Sequence, residues 1–458
     1  MGSMTPDERG FVKAFFRQVT DKPLDPDDPR YVDLYSDRDL APADPVELLT
    51  RSIEWTPGES ESVQLLSGFR GTGKSTELRR LRRRLQQNGY LVVLCDIEDY
   101  LNLSTRVDVS DFLMAVAGAF GDALVEAKLL DKDPAQEGYW TRLVNFLTRT
   151  KVQLSEVSAE ADVKAASVSV KANLKSDPSF REQLQQRMAG HLGALVADVR
   201  AYLEECVIKL RERHPKAETV LLLDSVEHIR GTSVNAAPVQ SSVETLFASH
   251  ADKLHLPNLH VVYTVPPYLK VRYPGLGALY SPGGLQVLPA LKVREGGEAF
   301  RAGLDAAERL VRGRGDWLKL LGERAVLDRL VLQSGGHLRD LLRILAEILR
   351  RAYSLPASGR TVESAIQQIK TEFLPLADAD AIWLARIAQT KRASLEDAAR
   401  LPDLARFLDT HLVLCYRNDS EWYDVHPLIL EEVKVQAREA LERRAAQPPA
   451  GAPAAVGS

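Results

Sequence analysis

The sequence predicts a three-layer α/β sandwich around a parallel sheet, followed by an all-α lid and a C-terminal winged-helix domain. Three observations carry that prediction. A glycine-rich stretch, Gly68-Phe69-Arg70-Gly71-Thr72-Gly73-Lys74-Ser75-Thr76, stands between a short apolar run and a long helical pattern. Further apolar runs close on acidic or polar residues, at Asp96, Asp224 and Thr264. After Leu291 the pattern turns helical, and its last part reads as three short helices and two strands.

Size and composition set the frame. A chain of 458 residues is long enough for roughly two to four domains. Apolar residues make up 45% and charged residues 27%, the proportions of a water-soluble globular chain. A formal net charge of −4 provides no global field toward nucleic acid or an anionic membrane. Cys95, Cys206 and Cys415 are far apart and form no C-x-x-C, which fits a reducing compartment and excludes a disulfide framework or a cysteine zinc site. No apolar run approaches the ~20 residues of a membrane span, and no secretory leader is visible, so a cytoplasmic protein without membrane contact is expected. Met1-Gly2-Ser3 before Met4 reads as an appended leader, and the Ala/Pro/Gly-rich tail from about 445 to 458 as disordered.

Residues 1–45 combine a helical pattern at Gly10–Phe16 with an acidic, Pro-rich stretch at Pro23–Pro29. Such a segment has no core of its own, and wrapping the next domain or contacting a partner is its expected use. The α/β domain is expected over 46–295. A short helix over 46–55 feeds the first strand, Val63–Leu66, and the helix after the glycine-rich turn buries Leu78, Leu81 and Leu85. Its five arginines between Arg79 and Arg84 suit a solvated face or subunit contact better than nucleic acid. Gly89 ends that helix, and Tyr90–Asp96 is the next strand.

Residues 101–218 exceed what a crossover needs and read as an insertion. Within it, Asp111–Leu130 has a helical pattern. Ser167–Lys175 alternates strictly, as a strand does, with Lys151–Val157 as its hairpin partner, and a long helix runs from Pro178 to about Arg213. The hairpin is either a surface decoration or a partner contact. Strands Thr219–Asp224 and Leu259–Val265 complete the sheet. Helices over 295–312, 315–321 and 323–333, and one after Gly335-Gly336, make a lid over 296–372. The winged-helix unit spans 373–435, with helices at Ala379–Thr390, Ser394–Arg400 and Pro402–Asp409 and strands at Leu412–Arg417 and Glu421–His426. Residues 436–458 are a helix end and the tail.

Gly68–Thr76 matches the phosphate-binding pattern G-x-x-x-x-G-K-[ST] in the right context, strand before and helix after. Gly68, Gly71 and Gly73 let the amides of Arg70, Thr72 and their neighbours converge on phosphate oxygens, and the helix N-terminus adds partial positive charge. Lys74 would reach the β- and γ-phosphates, Ser75 would offer its hydroxyl to Mg²⁺, and Thr76 closes the motif. Leu221–Glu227 reads as a buried parallel strand whose tip presents Asp224, which would hold Mg²⁺ through water. Thr264 either senses the γ-phosphate or the attacking water, or is an ordinary strand-end threonine. Arg339, in the first turn of a leucine-rich helix, could reach back to the phosphates.

With these pieces in hand, residues 46–435 resemble an AAA+-type P-loop ATPase of the STAND/origin-recognition branch. The resemblance rests on Gly68–Thr76, Leu221–Glu227 and Ser334–Arg339. It implies ATP with Mg²⁺, Thr264 at the first sensor and Arg339 as the arginine of the second. It also implies a switch whose nucleotide sets an on or off state, through a homo-oligomer or a separate effector protein. Many bacterial members of the STAND branch serve in conflict systems such as phage defence, which is a matter of analogy. One departure matters. The usual base is a Glu directly after the Asp, and Ser225 stands there. STAND members carry an acid pair three and four residues on, and here Glu227 is followed by His228. Glu227 is therefore the expected base, with slow turnover or completion by a neighbour. Arg230, Arg272 and Arg294 are the candidates for a finger acting in trans.

The alternative is a DNA-binding ATPase of initiator or regulator type. Its recognition helix, Leu401–Asp409, carries two acids against one arginine, a poor match to phosphate, although Lys391 and Arg392 lie just upstream. A small-molecule kinase is less consistent with a lid arginine and a winged helix.

Overall fold

The computed structural model of the protein describes residues 4–41, 43–57, 61–130, 138–150, 162–232, 234–395, 397–417 and 420–446. The N-terminal part holds α1 (Pro6–Gln18), α2 (Pro45–Glu54), β1 (Ser62–Gly68), α3 (Lys74–Gln87) and β2 (Leu91–Asp96). The helical insertion follows, with α4 (Val109–Glu126), α5 (Tyr139–Arg149), α6 (Val163–Ser176), α7 (Pro178–Met188) and α8 (Leu192–Arg213). Then come β3 (Thr219–Asp224), α9 (Ala236–Glu244), β4 (His260–Val265), α10 (Pro267–Arg272) and β5 (Leu285–Leu288). The lid comprises a small hairpin, β6 (Arg294–Glu295) and β7 (Glu298–Ala299), with α11 (Arg301–Arg312), α12 (Trp317–Leu321), α13 (Arg324–Gln333), α14 (Leu338–Arg351) and α15 (Gly359–Lys370). The chain ends on α16 (Asp378–Thr390), α17 (Leu401–Asp409), β8 (Val413–Arg417), β9 (Glu421–Val425) and α18 (Leu430–Ala446).

The five strands pair in the order β2-β3-β4-β1-β5, all parallel. Alternate residues on each strand feed two different cores. Leu66, Val220, Leu222 and Val262 pack with Leu78, Leu81 and Leu85 of α3 and with α2. Leu65, Leu221, Leu223 and Val261 pack with Phe112, Phe120 and the helices of the insertion. Apolar on both faces, these strands can only be the middle layer of a sandwich, which is what the continuous apolar runs predict.

Several sequence expectations need correction. Ser167–Lys175 is not a strand but part of α6. Its buried residues Ala166, Ser167, Val170 and Leu174 form a helical stripe, while Val168 is 71% exposed. A short Ser/Val alternation satisfies both periods, and the helix-capping Asp162, which accepts from Lys164 N–H, favours the helix. The proposed partner strand at 151–157 lies outside the described residues. The long helix predicted from Pro178 is interrupted around Gly190 and resumes at Leu192. The helix predicted from 295 starts at Arg301, because Gly296 and Gly297, both at positive φ, turn the β6–β7 hairpin instead. The middle winged-helix element is a single 3₁₀ turn, Ala398–Arg400, running into α17. β5 went unpredicted.

The N-terminal segment lies on the lid, not only on the α/β domain that follows it in sequence. Phe15, Val19, Leu34, Tyr35 and Leu40 pack into the lid core with Leu310, Leu341 and Leu345. The winged-helix core of Trp383, Leu384, Phe407, Val413 and Val425 takes in one residue from far upstream, Phe69 of the P-loop, which is 1% exposed.

Candidate nucleotide site

β1 ends at Gly68 in the middle of the sheet, so the glycine-rich turn emerges at the C-terminal edge where open α/β sheets place ligands. Gly71 and Gly73 take φ of +94° and +99°. At Gly71 a Cβ would also sit 2.6 Å from Arg339 Cβ, so this glycine is what lets the lid approach the loop. α3 begins at Lys74 with no side chain capping its first turn. Its leading N–H groups thus remain directed at the space in front.

Lys74 is buried. Its Nζ donates to Gly68 O and Phe69 O, each at 2.8 Å, and lies 3.2 Å from Glu227 Oε1. Those contacts use all three ammonium protons. Asp224, at the tip of β3, accepts from Ser225 N–H at 2.9 Å and from the Ser75 hydroxyl. Burial and then the neighbouring Glu227 push its carboxyl up to about 6. Burial acts on Glu227 too, but Lys74 and then His228 outweigh it and hold that carboxyl below its ordinary value. Two adjacent acids are thus driven apart in function, one easily protonated and one kept ionised. The turn between them depends on Ser225 at φ +67°, a left-handed conformation rare for serine.

Thr264 is fully buried. Its hydroxyl accepts from Val226 N–H at 3.1 Å and donates to Leu223 O at 3.3 Å. It braces the turn that carries Glu227 and also hydrogen-bonds the Glu227 carboxylate. Thr72 Oγ1 donates to Phe69 O at 2.9 Å within the loop, and Thr76 Oγ1 accepts from Leu24 N–H at 3.1 Å, tying the N-terminal segment to α3. Arg70 is exposed on the rim, where Arg230 and Arg339 crowd it, and burial followed by their charge lowers its guanidinium. Arg339 donates its backbone N–H to Gly71 O at 3.3 Å, and its side chain pairs with Asp21 at 3.2 Å.

Lys74, Ser75, Asp224, Glu227 and Arg339 all face one cavity of about 310 Å³. Its far wall comes from the N-terminal segment, with Leu24, Tyr31 and Tyr35, and from Leu310, Arg314 and Leu342 of the lid. Lined by the P-loop and, across from it, by Leu24, Leu310, Leu342 and two tyrosines, it suits a phosphate chain joined to a flat base. The second lid arginine, Arg314, was missed in the sequence. It is one of five arginines between 301 and 324, with nothing local to mark it. It donates to Leu310 O at 2.8 Å and Arg30 O at 3.2 Å, and burial, then Arg30, lower it to about 10. Of the finger candidates, Arg272 is held by Glu244 at 2.6 Å and Arg294 donates to Gly297 O at 3.2 Å. Arg230 stands beside Arg70 at the edge of the chain's own site.

The residues also fit a hard divalent cation. A hydroxyl and a buried carboxylate already in contact, with a second acid near by, are an oxygen donor set that a cation would relieve of its mutual repulsion.

No family model matches the chain, and no curated protein matches it. Solved structures do. The ADP form of the ORC2 protein of Aeropyrum pernix is similar at 14% identity and a TM-score of 0.40, covering 94% of this chain and 98% of that one. The Cdc6p protein of Pyrobaculum aerophilum is similar at 12% identity and 0.35, over 87% and 93%. The ORC1 protein of A. pernix in complex with DNA is similar at 14% and 0.31, over 87% and 92%. These are proteins of the origin-recognition kind that the sequence resembles, whereas the STAND label finds no counterpart among them. At TM-scores of 0.40 or less they are distant likenesses, too weak to carry an argument about function.

Proposed function

We propose that the chain binds ATP in the cavity between P-loop, lid and N-terminal segment, hydrolyses it slowly, and uses the γ-phosphate to set the position of the lid. The observation that carries this reading is the convergence of Lys74, Asp224, Glu227 and Arg339, from three separate parts of the chain, on one cavity. Lys74 would exchange Glu227 and the strand carbonyls for β- and γ-phosphate oxygens. Glu227, ionised and freed from Lys74, would then orient the attacking water and accept its proton at a carboxylate oxygen. Arg339 would leave Asp21 for the phosphates, which couples the lid to the nucleotide. Ser75 and Asp224 would hold Mg²⁺, whose contribution when bound is to neutralise charge on the phosphates.

Assembly into a homo-oligomer, or control of a separate effector, is the proposed output. Light scattering on a sizing column without nucleotide, with ADP and with a non-hydrolysable ATP analogue tests it, with phosphate release read on the same samples. Mass that rises only with the analogue, together with slow turnover, supports the switch. Equal mass in all three states removes self-assembly.

The other reading is a DNA-binding ATPase of initiator or regulator type. A role in phage defence rests on analogy alone and is not proposed. What weighs on the DNA reading in this chain is charge. Arg406 of α17 is paired with Asp380 at 2.9 Å and Lys391 with Asp424 at 2.5 Å, while Arg392 is exposed. Fluorescence anisotropy with duplex DNA at several salt concentrations separates the two readings: binding that falls steeply with salt and is lost in Arg392→Ala favours the DNA reading.

A further inference from the structure

Four titratable side chains meet at one buried point between the P-loop, the lid and the winged helix. His337 and Asp340 open α14, His411 follows α17, and His426 follows β9. The side chains of His337, Asp340 and His426 are wholly buried. His337 Nδ1 lies 2.7 Å from Asp340 Oδ2, and its Nε2 lies 2.6 Å from the Arg70 carbonyl oxygen in the P-loop. Both partners are acceptors. A peptide oxygen has no proton to give, and Asp340 stands 3.4 Å from the Arg343 guanidinium, a cation that favours its ionised form. A ring that faces an acceptor on each side at these distances carries a proton on each nitrogen.

The other two histidines complete the arrangement as neutral rings. His426 Nδ1 accepts the Leu428 N–H at 3.2 Å, so its proton sits on Nε2, which is 3.2 Å from Asp340 Oδ2. His411 stacks on His337 with ring centroids 4.6 Å apart, its Nε2 3.5 Å from the same oxygen. Burial, and then the charge of His337, push His411 down to about 2, and burial lowers His426 as well. Arg343 faces the other Asp340 oxygen at 3.4 Å, and Arg339 points from the same helical turn into the nucleotide cavity.

His337, Asp340 and His411 could be taken for metal ligands, since one donor atom of each lies within 4.8 Å of the others. The hydrogen bonds argue otherwise. Neither His337 nitrogen has a lone pair to offer, and His426 Nδ1 is occupied by a peptide N–H. Only Asp340 and His411 would remain, too few for a site.

We propose that His337 is a buried imidazolium that clamps the P-loop to the lid and winged helix, and is thereby a positioning residue for nucleotide binding. This rests on the nucleotide reading above. One ring nitrogen fixes the Arg70 peptide, whose neighbouring amides form the phosphate cradle. The other holds Asp340, on which the two winged-helix histidines converge. A neutral His337 keeps only one of these bonds, releasing either the loop or the winged helix.

The test uses the full chain and a fluorescent ADP analogue, titrated into wild type and His337→Gln under the same conditions. Glutamine can still donate to Arg70 O but brings no charge to Asp340. The variant is expected to bind about tenfold more weakly than wild type. In parallel, ¹⁵N spectra of labelled histidine in the wild type should show a doubly protonated ring whose signal is missing from the variant. Equal nucleotide affinities in the two proteins, a neutral His337 ring, or stoichiometric zinc in the purified protein would overturn the proposal. Should the variant not fold, the wild-type spectrum decides. Should wild type bind no nucleotide at all, the nucleotide reading fails on its own account and the spectrum still decides whether His337 is charged.

Discussion

Lys74 and Glu227 are paired with each other at 3.2 Å in a buried setting. On the proposed reading, nucleotide must separate them before Lys74 meets phosphate or Glu227 meets water. The desolvated pair is a threshold that phosphate charge has to overcome.

That pairing makes Glu227→Gln informative. The neutral amide holds Lys74 less firmly, so ATP affinity should stay the same or rise by up to about tenfold, while turnover falls by about 10²–10⁴-fold. Equilibrium binding and single-turnover hydrolysis on the same variant check both halves. Wild-type turnover in Glu227→Gln would show that another residue activates the water.

Asp224 gives the site a pH dependence of defined sign. Its folded value, about 6, lies above the ordinary value of 3.8. The fold therefore favours the protonated form, and the stability this confers is complete below about pH 4 and lost as pH rises through about 6. Asp224→Asn should remove that loss, on the order of 1–3 kcal/mol of stability at pH 7.5, as read by urea unfolding between pH 4 and 7.5. The same titration should make Mg²⁺-dependent nucleotide binding weaken as pH falls through about 6, because only the carboxylate holds the cation.

Phe69 links the P-loop mechanically to the winged helix, buried with Trp383, Leu384 and Phe407. Phe69→Ala should cost about 3–5 kcal/mol in unfolding experiments and weaken nucleotide binding as well, because the loop loses its anchor. A variant that is destabilised yet binds ADP like wild type would show that the anchor serves stability only.

Much of this was legible beforehand, for physical reasons that differ by element. The strands of the sheet are apolar on both faces and bounded by turn residues, so Leu221–Asp224 could hardly be anything else. The glycine-rich loop was legible because a left-handed backbone favours glycine, and Gly71 and Gly73 take positive φ. What stayed hidden depends on approach in space. Ser167–Lys175 fits two periods, and only its partners decide for the helix. Thr264 sits where a sensor would, and its contacts with Val226, Leu223 and Glu227 are visible only in the fold. Phe69, Arg314 and the meeting of His337 with His411 and His426 arise from packing between parts of the chain up to several hundred residues apart, for which one sequence has no local signal.

The most direct measurement is equilibrium binding of an ATP analogue to wild type and Lys74→Ala, with circular dichroism to confirm that both are folded. Wild type is expected to bind one nucleotide per chain. Lys74→Ala is expected to lose affinity by at least about a hundredfold, since it removes the one buried cation of the loop that can face the β- and γ-phosphates. Equal affinity in the two proteins would place the nucleotide elsewhere and contradict the assignment of this cavity.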